Sequence, residues 1–291
     1  MSKFIVMPYL KLISLYLILC CFSQTLSAQF YNYPGGIIDL KINKESTDLP
    51  EIKYGLNDVI VLDEGDQWRI LIGIDLETLP GDYLLYIKHP NEEISALNQK
   101  FSVAQKQPSF LLDPQVNGYP VALNEEKFSD ITFNNSVEPI LPLSYPAIGQ
   151  WTDKFGAIDT SNEGGNIFIR NYISLTTTQA LPVTAPHNAI VTRVFITPNS
   201  TENRRPNLNL SNNNPPAKEN YSIVLDHGRG LYSILTGITD ITVEPSNGVR
   251  AGAVLGKIYS RNFSSNEPNT LIWQTVLNEA YVNPVILTQL R

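Results

Sequence analysis

Ile223-Val224-Leu225-Asp226-His227-Gly228-Arg229-Gly230-Leu231-Tyr232 is the stretch on which the reading of this chain turns. Its β-branched and aliphatic start, Tyr221 to Asp226, reads as a strand that pairs with Thr192 to Thr197. His227 stands as a turn residue before Gly228. Asp226 and His227 are consecutive, so on a strand their side chains point to opposite faces and make a poor joint metal ligand.

Outward from this stretch the chain stays β-rich. Asn199 to Asn220 (NSTENRRPNLNLSNNNPPAKEN) interrupts the pair with almost no apolar content and reads as a mobile loop, with Arg204 and Arg205 at a solvated tip. Upstream, residues 106–149 carry Pro108, Pro114, Pro120, Pro139, Pro142 and Pro146, too many for a long helix. They read as a linker with extended pieces strapped across the second domain. Residues 29–105 read as a small antiparallel sandwich. Ile37 to Ile42, Val59 to Leu62, Trp68 to Leu76 and Tyr83 to His89 are its strands, and Gly55-Leu56-Asn57-Asp58, Glu64-Gly65-Asp66 and Pro80-Gly81-Asp82 are its turns. The sandwich shows no chemistry of its own and reads as a spacer or docking module.

The whole chain has 291 residues, 28 acidic and 21 basic, for a net charge of −7. A hydrophobic content of 43% supplies core for one or two domains and excludes a disordered chain. The acidic balance, with no basic run, argues against a nucleic-acid partner. Lys3 and Lys11, the apolar run Leu12 to Phe22 and the small-residue step Thr25-Leu26-Ser27-Ala28 have the layout of a secretory signal peptide cleaved after Ala28, residues 1–28. A retained anchor is the alternative, although the run is short for a membrane span. Leu17-Ile18-Leu19 before Cys20 disfavours a lipoprotein. Both cysteines, Cys20 and Cys21, fall in this segment, so the mature chain has neither disulfide nor thiolate metal site. Cleavage leaves 19 basic against 28 acidic residues, a net charge of −9. The expected location is the periplasm or cell envelope, with no membrane association after cleavage.

Three segments of residues 150–291 resemble the M23 peptidases, the lysostaphin- or LytM-like zinc endopeptidases that cut peptidoglycan cross-bridges. Leu181-Pro182-Val183-Thr184-Ala185-Pro186 with Ala189-Ile190-Val191 resembles "G-T-P-V-x-A-P…G-x-V". The opening stretch resembles "V-x-I-D-H-G-x-G-Y", followed by Val249, Gly252, Leu255 and Gly256 in the manner of "V-x-x-G-x-x-I-G". Leu271-Ile272-Trp273-Gln274, running to Val282-Asn283-Pro284, resembles "H-L-H-[FW]-E" and its later "V-N-P". Pro34-Gly35-Gly36, Val59 through Trp68 to Gly73-Ile74, and Pro80-Gly81-Asp82-Tyr83 resemble the all-β domain that precedes the peptidase domain in one group of exported M23 proteins. The fold implied is all-β: an N-terminal sandwich, then an M23-like antiparallel sheet domain of the duplicated-hybrid-motif type.

The resemblance implies a zinc ion held by two histidines and one aspartate, with an open fourth position and two helper histidines. Carried over by spacing, the ligand positions are Arg170, Ser174 and Ile272, and the helper positions are Gly237 and Thr270. None is a histidine or an aspartate. Ile272 has no lone pair, Gly237 has no side chain, and Arg170 brings a fixed positive charge to where a dication should bind. Asp159 in Gly156-Ala157-Ile158-Asp159 is an alternative aspartate ligand, but its histidine position is then Phe155. The chain's three histidines are His89, His187 and His227. His89 and His187 read as surface residues, and His227 matches a family histidine that is not a ligand.

The expectation is therefore a degenerate M23 domain, a pseudoenzyme without zinc or other cofactor. Its groove could still bind a peptide, with Trp273, Tyr232 and Arg170 as candidate contacts. By resemblance, its partner is peptidoglycan or a cell-wall hydrolase, since zinc-less M23-like proteins activate cell-wall amidases. An active zinc endopeptidase with a rebuilt site and a structural envelope interaction protein are the alternatives.

Overall fold

A computed structural model describes residues 31–55, 57–88, 97–106, 110–111, 139–159, 168–196, 219–259 and 269–290. Residues 1–30, His89, Arg204, Arg205 and most of residues 106–149 lie outside the described residues. Residues 31–291 form one compact unit. Its regular structure is antiparallel sheet, apart from one two-residue parallel pairing between Phe110–Leu111 and Ile158–Asp159, with one short helix among the described residues.

The first half supplies β1 (Ile37–Asn43), β2 (Glu51–Tyr54), β3 (Asn57–Asp58), β4 (Ile60–Asp63), β5 (Gln67–Gly73), β6 (Gly81–Lys88) and β7 (Leu97–Val103). They form a three-stranded sheet in the order β1-β5-β4 and a four-stranded sheet in the order β3-β2-β6-β7. Between the sheets lies a core of Ile38, Ile52, Val61, Trp68, Ile70, Ile72, Leu85, Ile87 and Phe101. β5 decides how this sandwich is mounted. Its residues from Trp68 to Gly73 are all buried, the mark of a strand covered on both faces. Trp68, Ile70 and Ile72 fill the sandwich core. Leu71, with Ile37 and Ile60, points the other way into the core of the second half. Arg69 shares that second face and is neutralised by Asp39 through two contacts, Nε to Oδ1 at 3.0 Å and Nη2 to Oδ2 at 2.7 Å.

The second half supplies β8 (Phe110–Leu111), β9 (Trp151–Thr152), β10 (Ile158–Asp159), β11 (Phe168–Ile169), β12 (Ile173–Thr177), β13 (Pro182–Thr184), β14 (Ala189–Ile196), β15 (Tyr221–Gly228), β16 (Leu231–Thr239), β17 (Gly248–Val249), β18 (Val254–Ile258), β19 (Asn269–Leu277) and β20 (Ala280–Val282). A ten-stranded sheet runs β17-β14-β15-β16-β19-β12-β9, with β13, β18 and β20 paired off this path. The expected pairing of the strand beginning near Thr192 with Tyr221–Asp226 is the β14–β15 ladder, from Ile190 opposite Asp226 to Ile196 opposite Tyr221. Val282-Asn283-Pro284 ends the last strand and starts helix α1 (Pro284–Leu287). Pro284 needs no N–H there, and the Asn283 side chain accepts from the Val285 N–H at 3.0 Å.

The two halves do not meet through a loose spacer. The strap at residues 139–149 buries Leu143 and Ala147 in the large core, and Leu143 N–H donates to Leu287 O at 2.9 Å. The Asn283 N–H donates to Gly35 O at 2.8 Å, and the Arg229 guanidinium donates to Val61 O at 2.5 Å. A Cβ on Gly73 would lie 2.4 Å from Leu277 O, so β5 approaches β19 closer than any side chain allows.

Candidate functional site

Period-two alternation gives the large sheet two faces with different contents. On one, Ile223, Leu225, Leu231, Leu235, Leu271, Trp273 and Leu277 join the shared core. On the other, the register sets Ser222, Val224, Asp226, Tyr232, Ile234, Thr236, Ile272, Gln274 and Val276 side by side. This second face carries the positions that the family resemblance marks for zinc.

The ladders bring most of those positions together. Ser174 on β12 pairs with Ile272 on β19, and Ile272 pairs with Thr236 on β16. Thr270 lies two residues from Ile272 on the same face, opposite Thr176. Arg170 lies just before β12, where its backbone exchanges hydrogen bonds with the Phe155–Ala157 turn: Gly156 N–H to Arg170 O at 2.7 Å and Arg170 N–H to Ala157 O at 2.9 Å. Its guanidinium carbon is 5.6 Å from the Tyr172 ring centroid.

Zinc does not fit this set. A structural or catalytic Zn²⁺ needs nitrogen, sulfur or carboxylate donors at about 2.0–2.3 Å. Ser174, Ile272 and Arg170 offer a neutral hydroxyl, an alkyl group and a cation. The helper position is closed by the backbone itself. Gly237 has φ +101°, and a Cβ built on it would lie 2.2 Å from Thr270 O. A histidine at 237 is therefore excluded by the path of β16 against β19, not merely missing. What the face does hold is mostly neutral hydrogen bonding, with the Asp226 carboxylate accepting from the Gly228 N–H at 2.7 Å. Ser222 Oγ and Thr236 Oγ1 are 2.8 Å apart, and the Gln274 amide donates to Asn171 Oδ1 at 2.9 Å. Among the described residues no group of three or more His, Cys, Asp or Glu side chains is placed to hold a metal.

His227 belongs to the core face, where both ring nitrogens are engaged. Nδ1 lies 3.0 Å from Asn188 O, and a carbonyl only accepts, so Nδ1 carries the proton. Nε2 then accepts from the Ser233 hydroxyl at 2.9 Å, and Ser233 Oγ accepts from Trp273 Nε1–H at 3.2 Å. The chain Trp273 to Ser233 to His227 to Asn188 is directional and closed. Burial pushes the His227 pKa down to about 4, against the raising effect of the bond to Asn188; the nearby His187 lowers it further. His187 accepts from the Asn188 N–H at 2.8 Å, and burial lowers its pKa as well.

Three candidate contact residues need correction. Trp273 is 0% exposed and faces the core, on the side opposite Ile272, so it cannot stack on a ligand in the groove. A Trp next to an H-x-H position alternates to the other face, a consequence of strand geometry. Tyr232 does lie on the groove face but is 2% exposed, packed with Val224, Ile234 and Val276, and burial followed by the Asp226 charge raises its hydroxyl pKa. Arg170 is 3% exposed. Of the alternative pair, Phe155 is a buried core residue; the Asp159 side chain lies outside the described residues, as does His89. Sequence reasoning missed Ser233 and Asn188, which together hold His227. The only signal for Ser233 was a lone hydroxyl in the otherwise apolar run Leu231–Leu235.

Residues 32–106 match the family model of the Peptidase family M23 N-terminal domain. No curated protein matches the chain. Among solved structures, a protein of Pseudomonas aeruginosa assigned to peptidase M23 is similar over 88% of this chain and 95% of its own, at 21% identity and a TM-score of 0.62. The catalytic domain of lysostaphin from Staphylococcus simulans aligns with 54% of this chain and 95% of its own, at 14% identity and a TM-score of 0.30. A chain of the SpoIIQ–SpoIIIAH pore-forming complex aligns with 50% of this chain and 89% of its own, at 13% identity and a TM-score of 0.35. The first of these likenesses establishes the fold. Residues 32–106 match the M23 N-terminal domain model, and the chain shares the fold of the Pseudomonas aeruginosa protein.

Proposed function

From a chain with the M23 N-terminal domain and the M23-peptidase fold, we propose an exported, non-catalytic protein of the cell envelope that binds peptidoglycan or regulates a cell-wall hydrolase. One observation carries the reading. The positions the resemblance assigns to ligands and helpers hold Ser174, Ile272, Thr270 and a Gly237 whose backbone leaves no room for a side chain. A zinc hydrolase needs a donor set that lowers the pKa of a bound water, and these groups do not supply one. What the structure keeps closed is the scaffold: the turn at Gly228–Gly230, the capped Asn283-Pro284 end and the satisfied His227 chain. The layout of residues 1–28 supports export. No helix among the described residues is long and apolar enough to cross a membrane.

The test is a pull-down of the mature protein on purified sacculi, with and without chelator. The reading expects association that survives chelator, because nothing in the fold depends on a metal, and no release of soluble muropeptides. Zinc-dependent lysis of the sacculi would overturn it. If sacculi do not bind, the hydrolase-regulating form of the reading is tested by crosslinking in cells, which should then trap a cell-wall hydrolase.

A further inference from the structure

The chain holds two Asn-Gly steps, Asn117-Gly118 and Asn247-Gly248, and the first lies outside the described residues. An asparagine amide is open to attack by the main-chain nitrogen of the residue that follows it. A side chain on that residue hinders the approach, and glycine has none. Asn247 and Gly248 are both exposed. A Cβ built on Gly248 would meet nothing within 4 Å, so no neighbouring group crowds the step.

The fold leaves the attacking nitrogen free. β17 ends the path of the large sheet and pairs with β14, Ile190 opposite Gly248 and Ala189 opposite Val249. The Val191 N–H donates to Asn247 O at 2.9 Å, which makes Ile190 and Gly248 a pair that exchanges no hydrogen bonds. The Gly248 N–H therefore points away from β14, toward the open side of the sheet. The amide under attack is held in a closed turn. The Asn247 N–H donates to Glu244 O at 3.1 Å, and Asn247 Oδ1 accepts from the Glu244 N–H at 2.9 Å. That N–H faces the oxygen on which negative charge collects when Cγ is attacked. Other asparagines lack this combination. Asn188 uses its N–H, its carbonyl and its side-chain oxygen in hydrogen bonds and precedes the buried Ala189. Asn283 precedes Pro284, which has no N–H to lose.

We propose that Asn247 is a site of spontaneous deamidation. The Gly248 nitrogen gives up its proton and attacks Cγ. The N–Cγ bond forms, the Cγ–Nδ2 bond breaks, and the amide nitrogen takes up a proton and leaves as ammonia. Water then opens the cyclic imide. Addition at Cγ gives aspartate, and addition at the main-chain carbonyl gives isoaspartate, whose chain runs through Cβ and Cγ. Both products add a negative charge, but they differ in their effect on the sheet. Aspartate keeps the register and still accepts from the Glu244 N–H. Isoaspartate lengthens the main chain by a methylene, so Gly248 and Val249 lose their places opposite Ile190 and Ala189. Val249, a member of the large core, is released with them.

The experiment incubates the purified folded protein at mildly alkaline pH and follows each asparagine by peptide mapping, with isoaspartate marked by an isoaspartyl methyltransferase. Conversion at Asn247 should be faster than at Asn171 and Asn188 by about tenfold or more. Gly248→Ala should slow it by about tenfold or more while leaving Tm unchanged, because the added methyl group enters open space. Hydrogen exchange at Val191 and Val249 should quicken in the isoaspartate fraction and stay native in Asn247→Asp. Conversion at Asn247 no faster than at Asn188, conversion seen only after unfolding in urea, or an equal rate in Gly248→Ala would overturn the proposal. Native exchange in the isoaspartate fraction would overturn the predicted release of β17.

Discussion

The two faces of one sheet carry different chemistry. The core face of β15, β16 and β19 keeps an apolar layer and places its few polar groups in a closed chain of hydrogen bonds through His227, Ser233 and Trp273. The opposite face, which the family resemblance marks for metal chemistry, carries hydroxyls, an amide, the Asp226 carboxylate and aliphatic side chains. Fold and chemistry are written on alternating residues of the same strands, so one can be erased without disturbing the other. Thr270 and Ile272 lie on the face the resemblance marks, while Leu271 and Trp273, interleaved with them, pack into the core.

Substitutions on the two faces should separate these roles. The largest effect belongs to Trp273→Ala on the core face. It removes a fully buried ring and leaves Ser233 without its donor, so chemical denaturation should show a loss of about 4 kcal/mol. Ile272→Val, one residue away on the other face, should cost only about 1 kcal/mol. Gly237→Ala follows. The positive φ and the 2.2 Å approach to Thr270 O should cost roughly 3 kcal/mol, and Gly248→Ala, with open space around its Cβ, should stay within about 0.5 kcal/mol. If Gly237→Ala were neutral, the backbone closure of the helper position would be wrong.

The His227 chain sharpens the comparison through pH. The folded pKa, about 4, lies below the unfolded value of 6.5, so the unfolded chain binds more protons between them. Stability is therefore full above about pH 6.5, declines as pH falls through the window, and by about pH 4 has lost roughly 3 kcal/mol. Urea melts across this range should show the decline in the parent chain and its absence in His227→Gln. The smallest effect is expected at the helix cap: Asn283→Ala should cost about 1 kcal/mol, read as a small drop in Tm.

Much of this arrangement was legible in the residues, and the parts that were not share a cause. The β14–β15 pair depends on local hydrophobic pattern, which a sequence carries directly, whereas His227, read as a turn residue, lies inside β15 and the turn falls at Arg229–Gly230. The mounting of the sandwich was not legible. The run Trp68 to Gly73 announces a strand buried on both sides, but no pattern says that its second face belongs to a core formed 150 residues later. Trp273 misled because a large aromatic beside the positions the resemblance marks reads as a contact until strand alternation assigns it a face. The closure at Gly237 depends on Thr270, a long-range neighbour, and the state of His227 depends on Asn188 O, 39 residues away. Each of these is a tertiary fact about which backbone lies alongside which.

The most direct measurement of the central claim is equilibrium dialysis of the purified mature protein against micromolar zinc, with metal content read by mass spectrometry. A sheet whose ligand positions are Arg170, Ser174 and Ile272 should retain well under one zinc per chain, with no change in Tm on adding the metal. One tightly held zinc per chain, with a Tm that rises on binding, would contradict it.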